Sequence, residues 1–308
     1  MANNGHKVKI WSFSEEECEL INEQRVCKYI KDVKIPDGVE CFTDFKKAIE
    51  GSDVILHVTP SKFFRNILKQ YKEFVTNQPI IICSKGFESE SLMTLDDVAK
   101  EELPEAKIAV LSGPSHAEEV SIDMPTALVI ASEYDDLNIE IANILKSDTM
   151  RIYTSKDVKG VEIGGALKNI IAFCVGISAG LGLGDNTFAA LLTRGLAEIS
   201  RLGIALGGKK ETFYGLTGLG DLIVTCGSLH SRNRKAGFLI GQGFSLDETK
   251  EKVGMTIESI DNIEVAYKLA KKYNIDVVII NTAYDIIFNN LNAKDATLIL
   301  MRRELKEE

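Results

Sequence analysis

The chain has 308 residues, of which 45% are hydrophobic and 26% are charged, and its formal net charge is −9. This length is more than one hydrophobic core usually serves, so we expect two domains of an ordinary soluble globular protein. The acidic balance argues against binding of nucleic acid and against adsorption to an anionic membrane. An anionic substrate would therefore need a local basic site.

The six cysteines stand at positions 18, 27, 41, 83, 174 and 226, without a C-x-x-C pair. Their spacing favours free thiols in a reducing compartment. The four histidines are scattered, so the sequence predicts no metal site. The first residues lack the apolar segment of a signal peptide, and the uncharged run 169–184 is shorter than a membrane span. We therefore expect a cytoplasmic protein without membrane insertion.

In the first half of the chain, short apolar runs alternate with amphipathic stretches, a pattern typical of a parallel sheet with helices on both faces. The predicted strands are 8–11, 54–58, 80–83, 108–111 and 127–131. The predicted helices between them are 15–22, 63–75 and 92–102. The pattern predicts a doubly wound, Rossmann-like α/β domain over residues 1–155.

The second half is dominated by stretches with a 3.6-residue apolar period, while strand signals nearly vanish. The predicted helices are 157–179, 187–206, 232–240, 256–273, 283–289 and 293–305. We expect an all-α domain over residues 156–308 that carries substrate-binding and catalytic groups.

The start of the chain departs from the usual order of a dinucleotide-binding domain, which is strand, glycine turn, helix and strand. Asn3-Asn4-Gly5 directly precedes a strand and is typical of the end of a helix. No G-x-G-x-x-G follows a predicted strand in the first half. We therefore expect a sheet without its first strand and an incomplete cofactor-binding domain. An internal codon of a longer protein and a true truncation both explain this start, and we favour the first.

Lys168 lies in an otherwise apolar helical stretch, Gly164-Gly165-Ala166-Leu167-Lys168-Asn169. A lysine that loses its hydration has a pKa lowered toward neutrality, which suits proton transfer near pH 7. A lysine that extends its ammonium group to the surface would show the same local pattern. Taken alone, this window favours the surface lysine.

Two segments follow predicted strands at the edge where open α/β sheets bind ligands. Lys85 follows the strand 80–83, and Ser112-Gly113-Pro114-Ser115 follows the strand 108–111. The second segment offers backbone N–H groups and hydroxyls to an anion. An ordinary loop lysine and a serine-capped helix start are the alternatives.

Ser231-Arg232-Asn233-Arg234 opens a predicted helix. The positive end of the helix dipole and a guanidinium group together make a phosphate site, whereas a basic first turn is unfavourable for a helix without a ligand. Asp221 is the one acid in an apolar, glycine-rich stretch. It either pairs with a buried lysine or caps a helix.

Taken together, these segments resemble the bacterial NAD(P)-dependent glycerol-3-phosphate dehydrogenases over essentially the whole chain. Each motif is weak alone, and their order makes the resemblance specific. The motifs are Val58-Thr59-Pro60-Ser61, Ser84-Lys85-Gly86, Leu111-Ser112-Gly113-Pro114-Ser115-His116-Ala117, Gly164-Gly165-Ala166-Leu167-Lys168-Asn169, Leu181-Gly182-Leu183-Gly184-Asp185-Asn186, Thr193-Arg194-Gly195-Leu196-Ala197-Glu198, Gly218-Leu219-Gly220-Asp221-Leu222 and Ser231-Arg232-Asn233-Arg234.

The resemblance implies NAD or NADP as cofactor and interconversion of sn-glycerol 3-phosphate and dihydroxyacetone phosphate for phospholipid synthesis. It implies Lys168 as the proton acceptor. The implied substrate-binding residues are Lys85, Gly113, Ser115, Lys168, Asn169, Asp221, Thr225, Ser231, Arg232 and Asn233. The implied cofactor-binding residues are Phe13, Lys85, Ala117, Arg232, Thr256 and Glu258. A small phosphorylated substrate and a homodimer are the implied partners.

The chain departs from the family at several positions near the implied cofactor. Phe13 stands where relatives often carry Arg or His, and Thr256 and Ser259 replace a usual Val and Gly. The absent glycine loop leaves an alternative function. The alternative is a non-catalytic, truncated homologue that binds the phosphorylated ligand or only dimerises.

Overall fold

A computed structural model describes residues 1–30, 33–305 and 307. The strands are β1 (Val8–Trp11), β2 (Val39–Phe42), β3 (Ile55–His57), β4 (Ile80–Ile82), β5 (Ile108–Ser112), β6 (Thr126–Ala131) and β7 (Met150–Ser155). The first helices are α1 (Glu15–Glu19), α2 (Phe45–Ile49), α3 (Phe64–Tyr71), α4 (Leu95–Glu102), α5 (Ala117–Val120) and α6 (Asp135–Leu145). The later helices are α7 (Val158–Gly180), α8 (Asp185–Ala205), α9 (Lys210–Phe213), α10 (Asp221–Gly227), α11 (Arg232–Gly241), α12 (Leu246–Val253), α13 (Glu258–Tyr273), α14 (Val278–Phe288) and α15 (Ala293–Met301).

The chain divides into two compact units. The first unit contains residues 1–59, 63–84 and 96–158, and the second contains residues 60–62, 85–95 and 159–308. The segment from Lys85 to Leu95 therefore belongs to the helical unit, although it directly follows a strand of the first unit.

The first unit contains two sheets. β1 and β2 form a parallel pair, and the other five strands form a sheet in the order β3-β4-β5-β6-β7. All neighbouring strands are parallel except β5 and β6, which are antiparallel. The expected Rossmann-like sheet is confirmed, with one antiparallel pair that the sequence pattern did not predict. β2 and β7 were also missed, because both alternate in exposure and lack a continuous apolar run.

β1 and β3 are each at the edge of a sheet. Ile55 and Leu56 of β3 are half-buried, whereas all three residues of β4 are fully buried. A strand inside a doubly wound sheet is normally covered on both faces and paired on both sides. Among the described residues, β1 pairs with β2 and β3 pairs with β4, so each of these two strands is paired on one side.

The core of the second unit is α7, which is surrounded by α8, α10, α11, α13 and α14. α7 is long and apolar enough to cross a membrane by length and composition, but 89% of its most apolar window is buried inside the protein. It is therefore a buried core helix of the second unit. Gly237 of α11 lies so close to α7 that a Cβ atom there would collide with the carbonyl oxygen of Phe173.

Most of the long helices predicted in the second half are confirmed, but α9, α10, α12 and the start of α14 were missed. α14 begins at Val278, five residues before the predicted start at residue 283. Its first turn is a run of apolar β-branched residues, which resembles a buried strand more than a helix start.

Candidate active site

The centre of the candidate site is Lys168 on the buried helix α7. One turn earlier on the same helix, Gly164 allows a close approach of the neighbouring backbone, since a Cβ atom at Gly164 would lie 2.9 Å from the carbonyl oxygen of Thr217. The segment Leu216–Gly220 leads directly into α10, whose first residue is Asp221. The glycine therefore brings the start of α10 next to Lys168.

Lys168 and Asp221 form a buried ion pair. Lys168 Nζ donates a hydrogen bond to Asp221 Oδ1 and another, of 2.7 Å, to Thr225 Oγ1. The three side chains are almost completely buried, with exposed fractions of 6% for Lys168, 1% for Asp221 and 3% for Thr225. The alternative that Lys168 extends its ammonium group to the surface is therefore wrong. Asp221 pairs with this buried lysine and is also the first residue of α10.

Lys85 binds the second oxygen of the Asp221 carboxylate. Its Nζ donates a 2.6 Å hydrogen bond to Asp221 Oδ2, and its side chain keeps 20% of its surface exposed. Asp221 thus holds two ammonium groups, one fully buried and one in contact with solvent. Such an arrangement places a second ammonium group beside Lys168 on the same carboxylate.

Burial and neighbouring charges set the protonation of this cluster. Burial lowers the pKa of Lys168, Asp221 opposes that effect and Lys85 adds to it, and the resulting pKa is about 8. Burial alone would raise the pKa of Asp221, but the attraction of Lys168 and Lys85 outweighs it and keeps that pKa below its usual value. Asp221 is therefore ionised at neutral pH, and Lys168 titrates near the physiological range.

A second polar contact lies on the next residue of α7. Asn169 Nδ2 donates a 3.0 Å hydrogen bond to Glu258 Oε2 at the start of α13. Burial raises the pKa of Glu258, and the positive charges of Arg232, Lys85 and Lys168 oppose that rise. Glu258 is thus electrostatically connected to both lysines and to the first residue of α11.

The start of α11 carries the predicted anion site. Ser231 is the N-cap residue, and its Oγ accepts a 3.2 Å hydrogen bond from the Arg234 N–H group. Asn233 Oδ1 accepts a 3.0 Å hydrogen bond from the Ser259 N–H group at the start of α13. The side-chain oxygen of Asn233 is therefore already bonded within the protein. Arg232 is exposed at the positive end of the helix.

Sequence reasoning missed Asn262 on α13. Its Nδ2 donates a 3.1 Å hydrogen bond to the carbonyl oxygen of Ala166, two residues before Lys168. Asn262 Oδ1 and the neighbouring Ser259 Oγ are buried without a hydrogen-bond partner among the described residues. Two polar residues three positions apart on the apolar face of a helix were the available signal.

The remaining predicted site residues are not among the contacts of the Lys168 cluster described above. Gly113 follows β5 with a φ of +137°, which L side chains rarely adopt, and its carbonyl oxygen accepts a 3.2 Å hydrogen bond from Ser115 Oγ. Ala117 is the exposed first residue of the short helix α5, and Phe13 is 82% exposed after β1. These four residues belong to the first unit. Thr256 lies in the second unit, in the turn before α13, and is half-buried.

The described part of the chain contains no group of three or more His, Cys, Asp or Glu side chains able to hold a metal ion.

Comparisons with known proteins assign this architecture to a family. The N-terminal family model of NAD-dependent glycerol-3-phosphate dehydrogenase matches residues 1–138, and the C-terminal model matches residues 157–298. The chain belongs to this family. It is an oxidoreductase of the NAD(P)-dependent kind, and the family resemblance drawn from the sequence motifs is confirmed.

Individual relatives agree over the whole chain. The glycerol-3-phosphate dehydrogenase [NAD(P)+] of Fusobacterium nucleatum is 47% identical over 310 residues, which cover 99% of this chain and 92% of that protein. The enzyme of the same name from Agathobacter rectalis is 45% identical, with 100% and 92% covered. The crystal structure of glycerol-3-phosphate dehydrogenase from Coxiella burnetii superposes with a TM-score of 0.95 at 35% identity, covering 98% of this chain and 93% of that one.

Proposed function

We propose that the chain moves a hydride reversibly between the nicotinamide of NAD or NADP and C2 of sn-glycerol 3-phosphate, interconverting it with dihydroxyacetone phosphate. The observation that carries the proposal is the buried Lys168 on one oxygen of Asp221, with Lys85 on the other. The relatives at 45% to 47% identity are named for this substrate and for both cofactors.

Lys168 is the proton-transfer group in this proposal. When dihydroxyacetone phosphate is reduced, the C2 oxygen gains negative charge, and the Lys168 ammonium gives it a proton. In the reverse direction the neutral amine removes the hydroxyl proton of glycerol 3-phosphate. A pKa of about 8 suits both directions, because neither form is scarce near neutral pH. Thr225 and Asp221 hold the lysine in place, which makes them positioning residues.

The phosphate group is assigned to the start of α11. Ser231, Arg232 and Asn233 combine helix N–H donors, a guanidinium group and a side-chain amide. Lys85 adds a charge that still contacts solvent. In an acidic chain, this cluster is the local basic site that an anionic substrate requires.

The polar residues around Glu258 fit the nicotinamide portion of the cofactor. Arg232 and Glu258 interact electrostatically, and Ser259 and Asn262 carry buried oxygens that have no partner among the described residues and could accept hydrogen bonds. A ligand that brings amide donors fits this set, so we assign Lys85, Arg232, Thr256 and Glu258 to cofactor binding. When bound, NAD(P) supplies or takes up the hydride.

The residues of the first unit complete the proposal. We assign Gly113 and Ser115 to substrate binding, and Phe13 and Ala117 to cofactor binding, with Asn169 as a polar neighbour of Lys168. We also propose a cytoplasmic location, a homodimer, a domain boundary near residue 155, and a role in supplying glycerol phosphate to phospholipids. The similarity of the whole chain to enzymes supports a catalyst rather than the non-catalytic homologue.

The test is oxidation of NADH or NADPH by the purified protein on addition of dihydroxyacetone phosphate. We expect turnover that Lys168→Ala abolishes, while Lys210→Ala, an exposed lysine of the same unit, keeps it. Binding of NADH and glycerol 3-phosphate is measured in parallel by calorimetry. Binding of glycerol 3-phosphate without any turnover would overturn the catalytic assignment in favour of the non-catalytic homologue.

A further inference from the structure

Two cysteines of the first unit lie in contact at a small cleft. Cys18 is on α1 and Cys41 is on β2, and their Sγ atoms are 2.6 Å apart. Both are buried, with exposed fractions of 8% and 3%. We propose that Cys18 and Cys41 are an oxidation site that forms a reversible intramolecular disulfide when the protein meets a peroxide.

The backbone around the pair is already held in place by other contacts. Asn22 Oδ1 accepts a 2.7 Å hydrogen bond from the Cys41 N–H group, and Asn22 Nδ2 donates a 2.9 Å bond to the Cys41 carbonyl oxygen. Arg25 donates a 2.7 Å bond to the carbonyl oxygen of Val39 on the same strand. The segment that carries Cys18 is therefore fastened to the edge of β2 independently of the sulfur atoms.

Formation of the bond requires little movement. A disulfide has an S–S distance of about 2.05 Å and demands a narrow range of Cβ positions, so pairs that start far apart need backbone rearrangement. Here the sulfurs start 2.6 Å apart on two elements that Asn22 and Arg25 hold together. Closure therefore needs side-chain rotation and a small approach only.

A small oxidant can reach both sulfurs. A cleft of about 240 Å³ is lined by Glu15, Cys18, Cys41, Phe42, Thr43, Asp44 and Lys47. This volume holds several molecules of water or a small peroxide, since one water takes about 30 Å³. The cleft therefore gives a small reagent a route to the two cysteines.

The order of the two steps follows from the contact between the thiols. Burial and the hydrogen bond with Cys18 raise the pKa of the Cys41 thiol to about 12, so Cys41 keeps its proton. The first step then falls to Cys18: its sulfur attacks the peroxide, and its thiol proton passes to the departing oxygen. The O–O bond breaks, an alcohol or water leaves, and Cys18 becomes a sulfenic acid.

Cys41 completes the reaction. Its sulfur attacks the Cys18 sulfur, the S–O bond breaks, and the Cys41 proton leaves with the hydroxyl group as water. The sum is two thiols and one peroxide giving one disulfide, one alcohol or water from the peroxide, and one further water. The disulfide closes a loop between positions 18 and 41 and fixes α1 to β2.

The test treats the intact folded protein with hydrogen peroxide and maps its disulfides by mass spectrometry after digestion without reductant. We expect a linked peptide pair containing Cys18 and Cys41, which dithiothreitol releases, and consumption of one peroxide per chain. Cys18→Ser and Cys41→Ser should each lose the link. Cys27→Ser, which removes the half-buried cysteine nearest in sequence, should retain it.

The same sample is heated with and without reductant. The oxidised wild type should melt at a higher temperature than the reduced protein, and this difference should vanish in Cys41→Ser. Two unlinked cysteines after treatment, or a link from either one to Cys27, would overturn the proposal. The wild-type mass map decides the question even where a serine variant fails to fold.

Discussion

Lys168 and Asp221, 53 residues apart in the sequence, form a buried ion pair between α7 and α10. A buried charge is tolerated when it is paired and hydrogen-bonded. Here the Lys168 ammonium group also donates a hydrogen bond to Thr225, and the second oxygen of Asp221 accepts one from Lys85. The carboxylate has two ammonium partners, so Lys168 can lose its proton while Asp221 keeps a counterion in Lys85. This arrangement makes the proton of Lys168 exchangeable without leaving Asp221 unpaired.

The pH dependence of turnover should follow Lys168. Its pKa is lowered to about 8 by burial, so the amine is mostly protonated at pH 7 and mostly neutral at pH 9. Oxidation of glycerol 3-phosphate needs the neutral amine, and its kcat/KM should rise with pH up to a plateau above about 8. Reduction of dihydroxyacetone phosphate needs the ammonium group and should fall over the same range. Initial rates from pH 6 to 10 in both directions test this, and parallel profiles in the two directions would contradict it.

The two partners of Lys168 should shift that midpoint in opposite directions. Asp221 raises the pKa of Lys168, and Lys85 lowers it. We expect Asp221→Asn to move the midpoint to lower pH and Lys85→Met to move it to higher pH, each with a large loss of kcat/KM. Thr225→Val is the matched control, because it removes a hydrogen bond and no charge. The measurement is the residual rate as a function of pH, and equal shifts in Asp221→Asn and Thr225→Val would refute the electrostatic account.

Asp221→Asn should also destabilise the fold. It leaves the Lys168 ammonium group buried without its counterion, and breaking a buried pair in this way costs about 3 to 5 kcal/mol. Double replacement of Lys168 by Met and Asp221 by Asn should recover part of that loss, because the unpaired charge is gone. Urea unfolding at pH 7 measures both values. A double variant no more stable than Asp221→Asn would show that the loss comes from packing rather than charge.

Interactions between residues that are far apart in the sequence leave no local signal around either partner. Lys168, Lys85 and Asp221 could be selected individually, but the sequence window around Lys168 favoured a surface lysine, because its partner is 53 residues away. The motifs of the family resemblance reversed that judgement. The start of α14 was missed for a related reason: its backbone N–H groups at Ile279 and Ile280 are capped by Glu198, 81 and 82 residues earlier. Local capping signals cannot reveal a cap supplied by another helix.

Glu198 should make stability depend on pH. It is 4% exposed, and burial raises its pKa from 4.5 to about 7, against the effect of the two N–H donors of α14. A raised carboxyl pKa means that the folded state binds more protons between pH 4.5 and 7 than the unfolded state does. The stability contributed by this group is therefore present below pH 4.5 and is lost as pH rises through about 7, by on the order of 3 kcal/mol.

Glu198→Gln should remove this dependence, because an amide does not titrate. It also replaces one accepting oxygen by an NH2 group, so we expect a loss of about 1 to 3 kcal/mol at acidic pH from the unpaired N–H of α14. The free energy of unfolding in urea, measured for both proteins from pH 5 to 8, tests the prediction. The wild type should lose stability relative to the variant as pH rises, and curves that stay parallel would rule out titration of Glu198 in this range.

The approach of α11 to α7 should tolerate no side chain at Gly237. A Cβ atom there would collide with the carbonyl oxygen of Phe173, which is backbone inside a helix and cannot move away alone. Gly237→Ala should therefore destabilise the protein by about 1 to 3 kcal/mol, the usual range for overpacking a core, or by more if the helices must separate. Gly227→Ala, at the end of α10, is the matched control because a Cβ atom there meets nothing within 4 Å. Thermal and urea unfolding of the two variants measure the difference.

Since Asn233 and Ser231 lie on the same helix as Gly237, the loss of packing should also weaken binding of glycerol 3-phosphate in Gly237→Ala and leave it unchanged in Gly227→Ala.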